Sequence, residues 1–534
     1  MEYIVTAQEM RDYDRNTIVD YGVESLVLME RAAYSVCERI IARKDCKKIL
    51  VLCGSGNNGG DGFAIARILH TKKYDVKVLF AGAYEKMTEE TKIQYDIVKR
   101  YGILVEHGRE SIDFLQEEYH CIVDCIFGIS LSRPIEGIYA EIIKQANSMN
   151  GFKIAVDVPS GISTDTGMVL GCVFCADETV TFGFKKAGLY IGKGREVCGE
   201  IICADIGIGE ESFLEKPPSG FSYKKEDLSL IPKRNWNSHK GSFGKVLLIA
   251  GSSDIGGACV LSALSLYRSG CGYVKVFTHE KNRDLIMGEV PEAVVSVYSD
   301  ETLDLLSLKE ACDFATVIVM GPGMGKSDHA KEIVKYVLSK TNTPLVMDAD
   351  AINLVSENEE LQELLQRRTG CQPIILTPHL LELKRLSELE IEEYKSNILE
   401  KGLAIANKYH CVLVCKDSVT VVFDGRENAT QKYYINQSGN DGLATAGSGD
   451  VSTAIETVSL VYISDGIASL EVDYTERVVT SLDKPVTVGF TFLTDVKTPN
   501  SYGNVSDIQV RLNNDYGLTG PAIESFVWDK KNRG

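Results

Sequence analysis

The segment KKILVLC-GSGNNGGDG-FAIARIL (47–69) constrains the fold of this chain more than any other. The apolar run 47–53 reads as a buried strand, the glycine-rich stretch as a turn, and FAIARIL as the start of an amphipathic helix. A strand, a glycine turn and a helix open a βαβ unit. Glycine lets the backbone approach a ligand, and the helix N-terminus presents free N–H groups to anionic oxygens. Asn57, Asn58 and Asp61 add more polar side chains than a phosphate cradle requires, and their oxygens suit a hard cation. The alternative is a tight connection whose polar residues only cap the helix.

The same rhythm continues. Strands are predicted at 49–53, 76–80, 121–124, 153–157 and 178–182, alternating with amphipathic stretches. That alternation predicts a parallel sheet covered on both faces, an α/β Rossmann-like domain over 1–215. A chain of 534 residues is too long for one core, so a second domain is expected. Paired prolines and clustered polar residues mark a linker at 215–234. A second α/β domain is placed at 222–451. It opens with strand, glycine turn, small-residue helix and strand over 241–277, with further strands at 316–321, 344–350, 373–378, 411–416 and 420–424. After Val451 the segments TVSLVYI, ASLEVDYTERVV, KPVTVGFTFL and IQVRLNN alternate or are β-branched, and no cysteine follows Cys415. They predict a β-rich C-terminal tail over 452–534.

Net charge of −18 argues against a nucleic-acid partner, so any anionic ligand must be held by local N–H groups and a few cations. No apolar stretch is long enough to span a bilayer, and the N-terminus lacks a signal-peptide pattern. The 15 cysteines are scattered and odd in number. They fit reduced, buried thiols and a cytoplasmic location better than a disulfide framework. Cys121 with Cys125, and Cys411 with Cys415, lie in apolar runs without a matching second pair and read as core thiols rather than metal ligands.

Four motifs in order, GNNGGDG (56–62), HCIVDCIFGISLSRPIEG (120–137), KIAVDVPSGISTDTG (153–167) and ADETVTFGFKKAGLY (176–190), resemble the NAD(P)H-hydrate epimerase family. The resemblance implies a potassium ion among Asn58, Asp124 and Ser160. It implies contact with the hydrated coenzyme by Asn57, Asn58, Gly59, Gly60 and Asp61, by the loop Gly128, Ile129, Ser130, Leu131, Ser132, Arg133 and Pro134, and by Tyr139 and Asp157. Asp124 ends a strand, where parallel-sheet sites gather, and is the candidate acid/base residue. Where the family has Gly-Thr-Gly, this chain has Gly128-Ile129-Ser130, a change expected to shift the substrate pyrophosphate.

The second region resembles the ADP-dependent NAD(P)H-hydrate dehydratase family, of ribokinase-like fold. The carrying segments are NSHKGSFGKVLLIAGS (237–252), GPGMG (321–325), DADAINLV (348–355), LTPHLLELKRL (376–386), CKDSVT (415–420) and GNDGLATAGSGDV (439–451). The resemblance makes Asp450 the second catalytic residue, a base that also meets the substrate, and Gly323 and His379 coenzyme contacts. Lys416, Asp417, Ser418, Val419, Thr420 and Gly449 become contacts to ADP or ATP. Leu380 and Leu381 replace the family's Pro-Gly, and leucine does not easily take a glycine-only geometry.

Together these motifs imply repair of hydrated NADH and NADPH: epimerisation of the R and S forms, and ADP-dependent dehydration of the S form. The resemblance ends at Val451, where the family continues into a long helix. Here β-branched residues and Ser464-Asp465-Gly466 follow, so the dehydratase is expected to be weak or absent. An epimerase with an impaired second module, a ribokinase-like small-molecule kinase and a sensor of nicotinamide nucleotides are the alternatives. The oligomeric state stays open, with room for a homo-oligomer.

Overall fold

The computed structural model describes residues 1–230, 236–368, 373–426, 429, 431–438, 448–450, 509–510 and 526–527. The chain divides into two compact units, Met1–Lys233 with Met324–Gln437, and Arg234–Gly323 with Ser438–Gly534.

In the first unit a seven-stranded sheet has the order Leu104–His107, Asp75–Phe80, Lys48–Cys53, Cys121–Cys125, Phe152–Val156, Glu178–Phe182, Glu200–Ala204. All its pairs are parallel. The five inner strands fall within one residue of the bounds predicted from sequence. The two edge strands, LVEH and EIICA, are half exposed and were not predicted, because their polar residues break the apolar run that marks a central parallel strand. Side chains alternate across the sheet as pleating requires. Val51, Cys53, Val123 and Cys125 join one core with Phe63 and Val36, whereas Leu50, Leu52 and Ile122 join the opposite core with Ile142 and Ile143. The chain leaves Lys48–Cys53 in one direction and returns to Cys121–Cys125 on its other side. The crevice beyond the ends of these two strands is the topological switch point, where open α/β sheets bind ligands.

The first unit also holds the strands Leu345–Met347, Ile374–Leu376 and Val412–Cys415, which run parallel, followed by antiparallel Val421–Asp424 and Tyr433–Ile435. Gly220–Ser222, inside the stretch read as a linker, pairs parallel with Tyr433–Ile435 and antiparallel with Glu2–Val5. Glu2–Val5 in turn pairs with Lys185–Lys186. A Cβ on Gly220 would meet the Tyr433 ring at 2.1 Å, so glycine is what lets this backbone lie against the tyrosine. A three-residue strand is too short to show a period of two.

The second unit has four parallel strands in the order Val294–Tyr298, Tyr273–His279, Lys245–Ile249, Val317–Met320. The helix Gly257–Arg268 buries Cys259, Ser262, Ala263 and Leu266. Of the tail, Gln509–Val510 and Phe526–Val527 form an antiparallel pair, and the rest of the β-rich reading lies outside the described residues. Among the described residues, no helix is long and apolar enough to cross a membrane.

Candidate functional site

The glycine-rich segment differs from its sequence reading in one respect. The helix spans Asn57–Thr71, with Gly56 as its N-cap, so Asn57 to Gly62 are its first turns and the connection itself is only Gly54 to Gly56. None of these glycines has a positive φ; close approach is what selects them. A Cβ on Gly59 would lie 1.9 Å from the Gly54 carbonyl oxygen, and one on Gly62 would lie 2.7 Å from Cys53 Sγ and Cys125 Cβ. The helix start therefore sits directly on the ends of the two central strands, in the crevice.

Asn58 is buried there, and neither its Oδ1 nor its Nδ2 has a hydrogen-bond partner among the described residues. A buried amide left without partners is uncommon in a folded protein and needs an explanation. Across the crevice, Asp124 and Ser160 are fully buried. Asp124 Oδ1 accepts from Ser160 Oγ at 2.7 Å and from the Ile126 N–H at 3.1 Å, while Oδ2 accepts from the Ser160 N–H at 2.7 Å. Burial raises the Asp124 carboxyl to about 6, and these hydrogen bonds restrain the rise. Ser160 Oγ also accepts from the Phe127 N–H at 2.8 Å. Amide, carboxylate and hydroxyl oxygens of this kind fit a monovalent or other hard cation, and the unsatisfied Asn58 is the observation that asks for a ligand.

Asp157 closes the crevice in a strained turn. Its φ is +65°, and the Val158 N–H donates to the Val156 carbonyl at 2.9 Å. A positive φ at the centre of such a three-residue turn is the rare γ-turn. Strain of this type costs about 1–3 kcal/mol and gathers at functional sites. Asp157 Oδ1 pairs with Lys186 Nζ at 2.8 Å and accepts from Thr181 Oγ1 at 3.2 Å. A Cβ on Gly128 would lie 3.4 Å from Asn58 and 3.5 Å from Asp157 Oδ2, so Gly128, Asn58 and Asp157 face one another. Asp61, almost fully buried, has its carboxyl pushed well above the ordinary range by burial and then by Asp157 and Asp14.

The loop after Gly128 is mixed. Ser130, Ser132, Arg133 and Pro134 are exposed and Leu131 is half-buried. Ile129 packs against two apolar cores, which absorb the side chain that sequence reading expected to disturb the substrate. The Tyr139 ring lies 5.0 Å from that of Phe127. Sequence reasoning missed Lys186 and Asp14. The only available signal for Lys186 was a lysine pair inside the last of the four motifs.

Of the second set of candidates, His379, Asp417, Ser418, Val419, Lys416 and Thr420 lie in the first unit. His379 and Lys416 bridge one another, and Lys416 Nζ pairs with buried Asp348 at 2.8 Å. Ala349, next to Asp348, has φ +46°. Asp417 pairs with Lys395 at 3.1 Å, and the Ser418 carbonyl accepts from Arg195 Nη1 at 3.4 Å. Val419 is buried, and the Thr420 carbonyl accepts from the Asn436 N–H at 3.0 Å. His379 caps the helix Leu380–Ser387, with Nδ1 accepting from the Leu381 and Glu382 N–H groups. Leu380 and Leu381 are thus in a right-handed helix and need no glycine geometry, contrary to expectation. Gly323, Gly449 and Asp450 lie in the second unit. A Cβ on Gly323 would meet Ile255 at 2.7 Å. Ser448 to Asp450 are helical, and the Asp450 carbonyl accepts from Ser262 Oγ at 3.2 Å. Among the described residues, no group of three or more His, Cys, Asp or Glu is placed to hold a metal, and the 14 described cysteines are free.

A switch-point crevice in a seven-stranded parallel sheet, followed by a second α/β region, defines a two-domain α/β enzyme. The family of YjeF-related protein N-termini matches residues 25–188, and the NAD(P)H-hydrate dehydratase family matches residues 246–462. The chain belongs to the family of bifunctional NAD(P)H-hydrate repair enzymes. It is 34% identical over 461 residues to the bifunctional NAD(P)H-hydrate repair enzyme Nnr of Thermofilum pendens, covering 84% of this chain and 85% of that one. The Nnr of Coxiella burnetii is 33% identical over 460 residues, covering 85% and 89%. Among solved structures, the ADP/ATP-dependent NAD(P)H-hydrate dehydratase from Bacillus subtilis is similar at 30% identity and a TM-score of 0.36, over 43% of this chain and 77% of that one. The dehydratase match reaches residue 462, so the family likeness does not stop at Val451 as the sequence reading had it.

Proposed function

We propose a division of labour for a chain that is an enzyme of NAD(P)H-hydrate repair, with an epimerase domain and a dehydratase domain. Residues 1–215 interconvert the R and S hydrates, and the domain placed at 222–451 dehydrates the S form with ADP or ATP, in the cytoplasm. The substrate hydroxyl sits on a ring carbon bonded to the ring nitrogen. Its C–O bond breaks as the nitrogen lone pair forms a C=N bond and the hydroxyl leaves with one added proton as water. Water then adds to the opposite face and gives up one proton. The enzyme supplies one proton and takes one back, so a donor and an acceptor suffice. Asp61, whose carboxyl burial pushes well above the ordinary range, is assigned as the donor.

Asn58, Asp124 and Ser160 would hold a potassium ion, which supplies a fixed positive charge for the anionic coenzyme. Both Asp124 oxygens are engaged by protein donors, which suits a cation ligand better than a group exchanging protons with substrate. Lys416 to Thr420 would contact the nucleotide phosphates, and Asp450 would act as the base of the dehydration. The observation that carries the epimerase reading is the unsatisfied Asn58 amide at the switch point. The test is to incubate the 534-residue chain with a single hydrated NADPH epimer, with and without ADP or ATP, and separate the products chromatographically. Epimerisation without nucleotide and NADPH formation with it are expected. No change in the epimer ratio would reject the reading.

A further inference from the structure

We propose that Lys186 is a positioning residue of the epimerase. It clamps Oδ1 of Asp157 so that Oδ2 faces the coenzyme and accepts the proton from the adding water. The inference rests on the epimerase reading of the first domain.

Lys186 is 1% exposed. Its ammonium meets Asp157 Oδ1 at 2.8 Å, Thr181 Oγ1 at 2.9 Å and the Phe182 carbonyl at 2.7 Å. An ammonium has three protons, so Lys186 is fully committed to the protein and has none for substrate. A buried lysine is tolerated only with such partners. The Asp157 backbone is equally fixed. Its N–H donates to the Val180 carbonyl at 2.7 Å, and the γ-turn closes around it at 2.9 Å. Backbone and Oδ1 are held from separate sides. Oδ2 has no hydrogen-bond partner among the described residues and points to the side where Gly128 and Asn58 lie. Asp61 and Asp14 lie near enough to Asp157 for its charge to raise both their carboxyls, and Lys186 opposes that rise at Asp14. The proton that Oδ2 accepts balances the one given to the departing hydroxyl, so no co-reactant is required.

The test compares Lys186→Met, Asp157→Asn and the double variant in the full-length chain, following approach to epimer equilibrium from pure (R)- and (S)-hydrated NADPH. A displaced catalytic group loses on the order of 10² in rate, so Lys186→Met should lower kcat about 100-fold with KM within about threefold. The double variant should match Asp157→Asn, because coupled residues are non-additive. A Lys186→Met kcat within about threefold of wild type would overturn the proposal. So would a double variant carrying the full product of the two single losses. If circular dichroism shows that Lys186→Met does not fold, Thr181→Val takes its place. It removes the hydroxyl that bridges lysine and carboxylate, and kcat should fall about tenfold; an unchanged kcat overturns the proposal. A wild-type chain without epimerase activity would instead reject the underlying reading, which separates the two failures.

Discussion

Asp124 shows how burial ties the proton on a single residue to stability. Burial raises its carboxyl from the ordinary 3.8 to about 6. Because the folded value is the higher one, its favourable contribution is complete below the ordinary carboxylate range and is lost as pH rises through about 6. A shift of this size corresponds to ~3 kcal/mol. A bound potassium ion favours the ionised form and opposes that loss. Potassium, compared with tetramethylammonium, is therefore expected to raise the melting temperature at pH 8 and to have little effect at pH 5. Equal melting temperatures in the two salts at pH 8 would remove potassium from the site. Asp124→Asn should abolish the potassium effect and, by misplacing the coenzyme, lower epimerase turnover on the order of 10²-fold; wild-type turnover in that variant would show that Asp124 is only structural. Asn58, Asp124, Asp157 and Ser160 could be singled out in the sequence because each sits in an extended motif at a strand end or in the turn or helix start that follows one. Lys186 was not, since nothing in FGFKKAGL tells a buried lysine from a solvated one. Its burial comes from the fold.

At the scale of elements, the strand and helix rhythm was readable wherever strands are central and apolar, as in KILVLC and CIVDC. It was unreadable where strands are short or half exposed, as in Gly220–Ser222 and Leu104–His107. The glycine-rich segment was located correctly but given the wrong conformation. Glycine is disfavoured inside helices by propensity, and only packing of the helix start on the strand ends outweighs it. That account makes a paired prediction. Gly59→Ala places a Cβ 1.9 Å from a backbone oxygen and should destabilise the first domain by about 1–3 kcal/mol or more. Gly56→Ala meets nothing within 4 Å and should cost no more than about 1 kcal/mol, as the loss of a glycine N-cap. Urea unfolding midpoints measure both. Equal midpoints would mean that close approach does not select Gly59.

At the scale of the whole chain, the presence of a second α/β region was legible from motif order. The pairing of the N-terminal strand Glu2–Val5 with Gly220–Ser222 and Lys185–Lys186 was not, because it joins segments about as far apart as the first domain is long. The dehydratase half is where the whole-chain reading changes most. The junction after Asp450 looked damaged in the sequence, yet the family match continues to residue 462 and Ser448 to Asp450 are helical. Nucleotide-dependent activity is therefore expected of the full chain. Hydrated NADPH should regain the reduced-nicotinamide absorbance when ADP or ATP is present, and not without nucleotide. Lys416 is the residue through which to test the nucleotide site. Its ammonium is already oriented by buried Asp348 at 2.8 Å, so a phosphate bound there would meet a preset charge. A hydrogen bond to a charged group is worth about 1.5–3 kcal/mol, so Lys416→Met should raise the nucleotide concentration for half-maximal rate by about 10- to 100-fold. Epimerase activity should stay unchanged in that variant. An unaltered nucleotide dependence would exclude Lys416 from the site. A chain that epimerises but never regains absorbance with either nucleotide would leave the epimerase as the only working half.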